Sequence, residues 1–299
     1  MMAGETCEPM YQRYGIGAIA KLLGLSTESI RYYETRGIIQ PIRDPETGYR
    51  YYNAWDFHML LRARHYQSYG FSLSEIADLF RKERLTDIAT AVENQEGQIQ
   101  HEILWQVNKL RRIRQSQAMI RDAQQNAGCF RIEQSPGIYR INTQVEYTFC
   151  TSPEERALIE TWAGMTPFVY SCAVFYEERL RQGHTGFDFG MGVNEEYAGL
   201  LSICEGDGVQ YYPPQICLHT CLPSRSGAYL TSNSLEPAFS YMREHGLELG
   251  GDIVTQVACM VKPGEEYFNW HLVWIPLKNI ADLLTCEQQP EATLLNRPH

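Results

Sequence analysis

The sequence predicts a multidomain chain. An α-helical winged helix-turn-helix domain comes first, then a long helix of coiled-coil character, then an α+β domain built on an antiparallel sheet. Three observations lead there. Two short amphipathic segments flank Gly24 and are followed by a proline- and glycine-marked hairpin. Residues 86–127 contain no proline and one glycine, Gly97. From about Phe130 onward, short β-prone runs alternate with brief helical ones.

Residues 1–13 read as a loose tail and 14–81 as the first domain. Ile16, Ile19, Ala20 and Leu23 recur at helical spacing. Gly24 suits the left-handed backbone that ends a helix, and Ser26 is a good N-cap for the next one. Helix, glycine-containing turn, helix is the layout of a helix-turn-helix reader. Ile30, Ile38 and Ile39 belong to its core. Pro41-Ile42-Arg43-Asp44-Pro45-Glu46-Thr47-Gly48-Tyr49-Arg50-Tyr51-Tyr52 reads as a short hairpin, the wing. Asn53 caps a third helix running to about Tyr69, and Ser72 or Ser74 starts a fourth that ends near Phe80.

Residues 82–128 form the long helix. Ile88, Val92, Ile99, Ile103, Leu110, Ile113 and Ile120 approximate a heptad seam with one extra four-residue step near Ile99. Gly128 is a natural stop. Residues 129–285 form the α+β domain. Its strands are read at Tyr139–Ile141, Val145–Phe149, Phe168–Tyr170, Phe187–Val193, Gly227–Thr231, Ile253–Val261 and Trp270–Ile275. Its helices are read near Pro153–Ala163, Phe175–Gln182 and Leu235–His245. Residues 286–299 read as a flexible tail.

The 299 residues carry a net charge of −10, divided unevenly. Residues 1–128 hold 16 Lys and Arg against 15 Asp and Glu, and residues 129–299 hold 10 against 21. The acidic second half is a poor nucleic-acid surface. The first half clusters Arg31, Arg36, Arg43, Arg50, Arg62 and Arg64, and local clustering governs phosphate binding more than net charge does. No apolar run reaches the ~18 residues of a membrane helix. Met1–Arg13 has no basic start followed by an apolar stretch, so a cytoplasmic chain that does not engage membrane is expected. The nine cysteines are then reduced.

At the start of the second helix, Thr27, Ser29, Arg31 and Tyr32 are short or forked donors, suited to base edges and phosphates in a major groove. Arg43, Arg50 and Tyr51 of the wing are suited to the backbone. One of the adjacent tyrosines must face the core, and Tyr33 is the choice. Glu34 reads as a structural ion pair with an arginine of the third helix. Residues Ile16–Ile39, with Arg31-Tyr32-Tyr33-Glu34 at their centre, and Gly48-Tyr49-Arg50-Tyr51-Tyr52 in the wing closely resemble the DNA-binding domain of the MerR family of transcription regulators. That resemblance implies a homodimer joined by an antiparallel coiled coil and bound to double-stranded promoter DNA. It also implies activation by distorting an overlong promoter spacer so that RNA polymerase can engage, which makes part of the specificity indirect readout.

The second half loosely resembles the GyrI-like effector domain of multidrug-sensing MerR proteins, through its strand–helix order, Ser226-Gly227-Ala228-Tyr229 and the closing Trp274-Ile275-Pro276-Leu277. Such a domain implies a lipophilic cation, or another aromatic small molecule, held in an aromatic pocket. Alternation puts Trp270, Leu272 and Trp274 on one strand face, where indoles can line a pocket and attract a cation. Tyr66, Trp162, Tyr170, Tyr176, Phe187, Tyr229, Trp270 and Trp274 are the ligand-binding candidates. The resemblance also implies a buried Glu in the last strands, and neither Val257–Val261 nor Trp270–Ile275 contains one. Tyr66 and Tyr69, closing the third helix, are candidates to transmit the ligand's state.

Two other classes compete. Cys217, His219 and Cys221 alternate along a strand and offer three donors to a thiol or metal sensor, although two small cysteines also suit a packed strand. A GyrI-like hydrolase is the third reading. His184, His219, His245 and Tyr229 form no convincing nucleophile–base–acid set, so the chain reads as a regulator with no catalytic residues, metal or cofactor.

Overall fold

In the computed structural model, residues 12–225 and 231–278 are described. The chain divides into two compact units, Met1–Trp105 and Gln106–His299.

The first unit opens with β1 (Tyr14–Gly15) and α1 (Ile16–Leu23). Gly24 caps α1 at φ 62°, a backbone conformation that costs glycine nothing. Next comes α2 (Thr27–Thr35), whose N-cap Ser26 accepts a hydrogen bond from the Ser29 backbone N–H at 3.0 Å. The wing is β2 (Ile42–Arg43) and β3 (Arg50–Tyr52), and β3 also pairs with β1. Asp44 holds the wing tip: its Oδ1 accepts from the backbone N–H groups of Glu46 and Thr47. Then follow α3 (Ala54–Ser68) and α4 (Leu73–Leu79), each opened by a capping box, Asn53 with Asp56 and Ser72 with Glu75. Ile19, Leu23, Ile30, Tyr33, Ile38, Ile39, Tyr52, Leu60 and Ile76 form one core. The long helix α5 (Leu85–Gln125) begins here and continues into the second unit.

The second unit contains β4 (Arg131–Gln134), β5 (Ile138–Val145), β6 (Thr148–Phe149), α6 (Pro153–Ala163), β7 (Tyr170–Phe175) and α7 (Glu177–Arg181). After these come β8 (Asp188–Asn194), α8 (Ala198–Leu201), β9 (Gln210–Tyr212), β10 (Ile216–Arg225), α9 (Glu236–Glu244), β11 (Ile253–Val261) and β12 (Phe268–Pro276). The strands make one antiparallel sheet in the order β4-β10-β12-β11-β7-β8-β5-β6, and β9 also pairs with β5.

Chain connectivity forces this sheet to curl. From β4 to β5 there are six strand spacings, about 29 Å if flat at ~4.8 Å each. Residues 135–137 alone connect them, and four Cα steps of ~3.8 Å span at most about 15 Å. The face that turns inward carries Ile138 from β5 into one cluster with Cys217, Cys221, Val254, Leu272 and Trp274 from the far strands. Met119 and Ala123 of α5 pack there too. The opposite face is filled by Phe175, Phe187, Leu218, Ile253, Val273 and Ile275 under Leu235, Ala238 and Met242 of α9 and its approach.

Four local readings of the sequence differ from this architecture, the first being the strand expected at Phe168–Tyr170, of which only Tyr170 belongs to a strand, as the start of β7. Val145–Phe149 is not one strand: Glu146 at φ 51° turns the chain between β5 and β6. Phe175 ends β7 rather than opening a helix, so α7 is short. Gly128 lies beyond the end of α5, at φ 72°, and its N–H donates to the Cys221 carbonyl. Of the expected strand Gly227–Thr231, the run Gly227–Leu230 lies outside the described residues.

Candidate DNA interface and effector face

The helix-turn-helix sorts the two tyrosines of its motif. Tyr33 is 5% exposed, and its hydroxyl donates to Gln67 Oε1 at 2.6 Å. Tyr32 is 47% exposed and its hydroxyl accepts from Arg36 Nη2 at 2.6 Å, while the same guanidinium lies 5.0 Å from the ring centroid. Arg31 is exposed one residue earlier, and Thr27 and Ser29 are half-buried in the first turn. The sequence reading counted Arg36 only among the clustered arginines and did not pair it with Tyr32. Its signal is helical spacing, since i and i+4 put it directly over Tyr32.

The wing is tied to α2 through Glu34. Arg43 Nη2 lies 3.0 Å from Glu34 Oε1, and Arg50 Nε lies 3.0 Å from Oε2. Glu34 therefore pairs with two wing arginines and not with α3. The wing folds back beside the recognition helix, which brings Arg43 and Arg50 closer than any arginine of α3. Arg64 of α3 serves instead as a cap, donating from Nη1 to the Leu23 carbonyl at 2.6 Å. Tyr51 is half-buried, its ring 5.3 Å from Tyr49. A pairing between wing and helix leaves the guanidinium forks near α2, where a phosphate can engage the nitrogens that Glu34 does not use.

In the second unit the strand register sets the inward face residue by residue. Trp274 sits opposite His219 and Val254, Leu272 opposite Cys221 and Gln256, and Cys172 opposite Gln256 and Gly190. Gly190 faces Asn142, and Gly192 lies between Tyr170 and Arg140. Tyr170, Tyr176, Trp270 and Trp274 thus gather on this face, as part of or packed on one cluster or directly beside it in the register. Phe187 does not: it belongs to the core on the other side of the sheet. Trp162 is buried within α6. Tyr66 packs in the first unit against Phe71 and Phe80, at 5.9 and 6.1 Å. Tyr229 lies outside the described residues.

The polar chemistry of the face was not read from the sequence. Arg140 is 0% exposed; it donates from Nη1 to Gln210 Oε1 at 2.8 Å and from Nη2 to the Asp188 carbonyl at 3.2 Å. Arg112, also buried, donates from Nε to the Pro167 carbonyl and rests 5.4 Å from the Tyr170 ring centroid. The buried carboxylate on this face, Asp188, is committed to Arg179 at 2.9 Å. A charged residue inside an apolar strand, as in Tyr139-Arg140-Ile141, is the signal that points here.

His219 is held within a network of its own. Its Nε2 lies 3.4 Å from Asp122 Oδ2 and its Nδ1 3.1 Å from the Val273 carbonyl. Arg131 grips Asp122 with two bonds of 2.7 and 2.8 Å, which holds that carboxyl well below the usual carboxylate range. Burial pushes the Cys217 thiol up to about 11 and the Cys221 thiol to about 12, so both stay protonated near neutrality. Among the described residues, no group of three or more His, Cys, Asp and Glu is placed to hold a metal ion.

The family model of MerR helix-turn-helix regulatory proteins matches residues 14–83. These residues form a MerR-type helix-turn-helix domain. Curated relatives agree over the same stretch. A probable heavy metal-dependent transcriptional regulator of Haemophilus influenzae is 47% identical over 64 residues, 21% of this chain and 50% of the relative. The regulator CueR of Escherichia coli is 36% identical over 64 residues, 21% of this chain and 47% of its own length. The chain spans about half the length of the curated relatives it matches, and the MerR-type domain is the part they share. Among solved structures, EcmrR in its complex with DNA and RNA polymerase open complex is 15% identical and covers 89% of this chain and 99% of its own at a TM-score of 0.36. HiNmlR bound to promoter DNA, described as a MerR family regulator lacking the sensor domain, is 22% identical over 38% of this chain and 94% of its own, with a TM-score of 0.28.

Proposed function

We propose that the chain is a ligand-controlled transcription regulator that grips double-stranded promoter DNA as a homodimer and passes the state of a small-molecule effector to RNA polymerase. The observation that carries this reading is the MerR-type domain itself, in which Glu34 binds the wing arginines to a recognition helix that exposes Arg31 and Tyr32. Arg31 reads a guanine edge or a phosphate, Thr27 and Ser29 flank it, and Arg43, Arg50 and Tyr51 position the wing on the backbone.

The dimer reading is supported by α5. Ile99, Ile103, Val107, Leu110, Ile113 and Ile120 are all exposed along it at intervals of three, four or seven residues. An apolar stripe of that length needs a cover, and a second copy supplies one in a coiled coil. The same dimer supports a spacer-distorting mechanism, because a reader that holds both half-sites can set the bend and twist of the DNA between them.

The effector reading is supported by the inward face of the curled sheet, which gathers Tyr170, Tyr176, Trp270 and Trp274 around buried polar groups. Heavy metal dependence belongs to that relative's name, and its similarity covers 64 residues, 21% of this chain. A selection from random duplex DNA by the full-length chain tests the proposal. It should enrich a dyad-symmetric sequence, and Arg31→Ala should lose that enrichment. Recovery of no sequence, or of one without dyad symmetry, contradicts it.

A further inference from the structure

The inward face of the sheet is rich in donors and poor in acceptors. Among the described residues, five buried polar atoms on or against it lack a hydrogen-bond partner: Arg112 Nη1, Arg140 Nε, Gln256 Nε2, Trp274 Nε1 and Asn142 Oδ1. Amides can turn over, but a guanidinium and an indole can only donate. Three of the five are therefore fixed donors. Leaving one buried donor unpaired is already costly, and native structures keep few of them.

These groups are neighbours in the register. Arg140 faces Gly192, and Tyr170 lies across the same glycine. A Cβ on Gly192 would meet the Tyr170 ring at 2.7 Å, so the ring covers that glycine. Arg112 lies against the same ring. Cys172 neighbours Arg140 electrostatically, as do Tyr176 and Tyr212, and Gln256 pairs with Cys172 one strand away. Tyr212, Trp274, Ile138 and Val254 line a small cavity of about 20 Å³. The face is thus two buried guanidiniums, an indole and an amide, with tyrosines lying over it.

That charge pattern repels a lipophilic cation. Both guanidiniums are buried, and Asp188 is neutralised by Arg179. Gln256, buried on the same face at 1% exposed, carries no charge.

Building on the reading of this unit as an effector domain, we infer that its effector is an aromatic carboxylate, seated on the inward face with its oxygens on Arg140 and its ring against Trp274 and Tyr170. A carboxylate accepts from up to four directions and suits a guanidinium fork. Its ring replaces Tyr212 or Tyr176 over the sheet, because a 20 Å³ cavity is too small for any aromatic ligand.

Calorimetric titration of the full-length protein with 1-naphthoate and with 1-naphthylmethylammonium compares one ring under opposite charges. Naphthoate should bind at least tenfold tighter. Arg140→Gln should remove that preference, and Gln256→Glu should weaken it severalfold by placing a carboxylate opposite Cys172, the residue that neighbours Arg140. Both variants need an unchanged circular dichroism spectrum; if Arg140→Gln unfolds, Gln256→Glu decides. Tighter binding of the ammonium overturns the charge assignment and leaves the effector reading standing. A naphthoate preference that neither variant alters overturns the site. If neither probe nor any of a varied aromatic panel binds, the effector reading itself fails.

Discussion

Adding one methyl group at Gly190 should cost the second unit much of its stability. A Cβ built there lies 1.9 Å from the Ile141 carbonyl oxygen of the adjoining strand and 3.1 Å from Arg140 Nη2. Real contacts of that kind stay beyond about 3.0 Å, so β5 and β8 must part by more than 1 Å. The obstacle is backbone, which cannot rotate aside. Parting the strands weakens two ladder hydrogen bonds at ~1 kcal/mol each and adds overpacking strain of ~1–3 kcal/mol. The expected loss for Gly190→Ala is about 3–5 kcal/mol. Gly192→Ala is the control: its nearest atoms belong to the Tyr170 ring, which can turn, so about 1–2 kcal/mol is expected. Urea denaturation followed by tryptophan fluorescence measures both, since Trp162, Trp270 and Trp274 report on this unit. A Gly190→Ala protein within 0.5 kcal/mol of the parent (roughly the noise of such substitutions) would refute the close approach that brings Arg140 over the sheet.

Three further outcomes follow from the same geometry. Arg31→Ala should weaken binding to a selected duplex by about tenfold or more, ~1–3 kcal/mol for a bidentate base contact, and relax preference at one base pair, read by competition with single-base variants. Glu34→Gln should cost under about 1 kcal/mol of stability, because Arg43 is mostly exposed and the pairs are solvent-screened. It should nevertheless lower the ratio of specific to nonspecific DNA affinity severalfold, because the wing is no longer tied to α2; an unchanged ratio would show that Glu34 has no positioning role. The buried His271 imidazole bonds Ser224 Oγ at 2.8 Å, and burial pushes its pKa down from 6.5 to about 4. The unfolded chain then takes up this proton first, so the stability due to the neutral ring is complete above about pH 6.5 and falls by ~3 kcal/mol as pH drops to 4. His271→Gln should flatten that part of the profile in denaturation curves at pH 7 and 4.5, and an identical slope in both proteins would contradict it.

The first unit was legible because its signals are local. Gly24, Ser26, Asn53 and Ser72 each act on backbone within a few residues, and each caps the helix end that its chemistry suits. Helix α6 was legible to the residue for the same reason, with Ser152, Pro153 and Glu155 marking its start. The indole face of β12 followed from strand alternation alone. What escaped was long-range. Glu34 found its partners in the wing because a hairpin folded back, which no spacing announces. β4 and β9 are short edge segments whose pairing depends on strands far along the chain. Phe187 read as a pocket residue because an aromatic beside a strand carries no mark of which face it will take. Arg140 and Gln256 went unnoticed as a pair because only the register of β5, β8, β7 and β11 places them near one another.

The proposed function requires sequence-specific DNA binding by the MerR-type domain within the whole chain. Fluorescence anisotropy of the full-length protein on its selected duplex and on a scrambled one, measured across a salt series, tests it most directly. Specific binding should exceed nonspecific binding ~10³-fold or more at physiological salt, with affinity falling steeply as salt rises because several phosphates are neutralised. Equal affinity for the two duplexes at every salt concentration would contradict it.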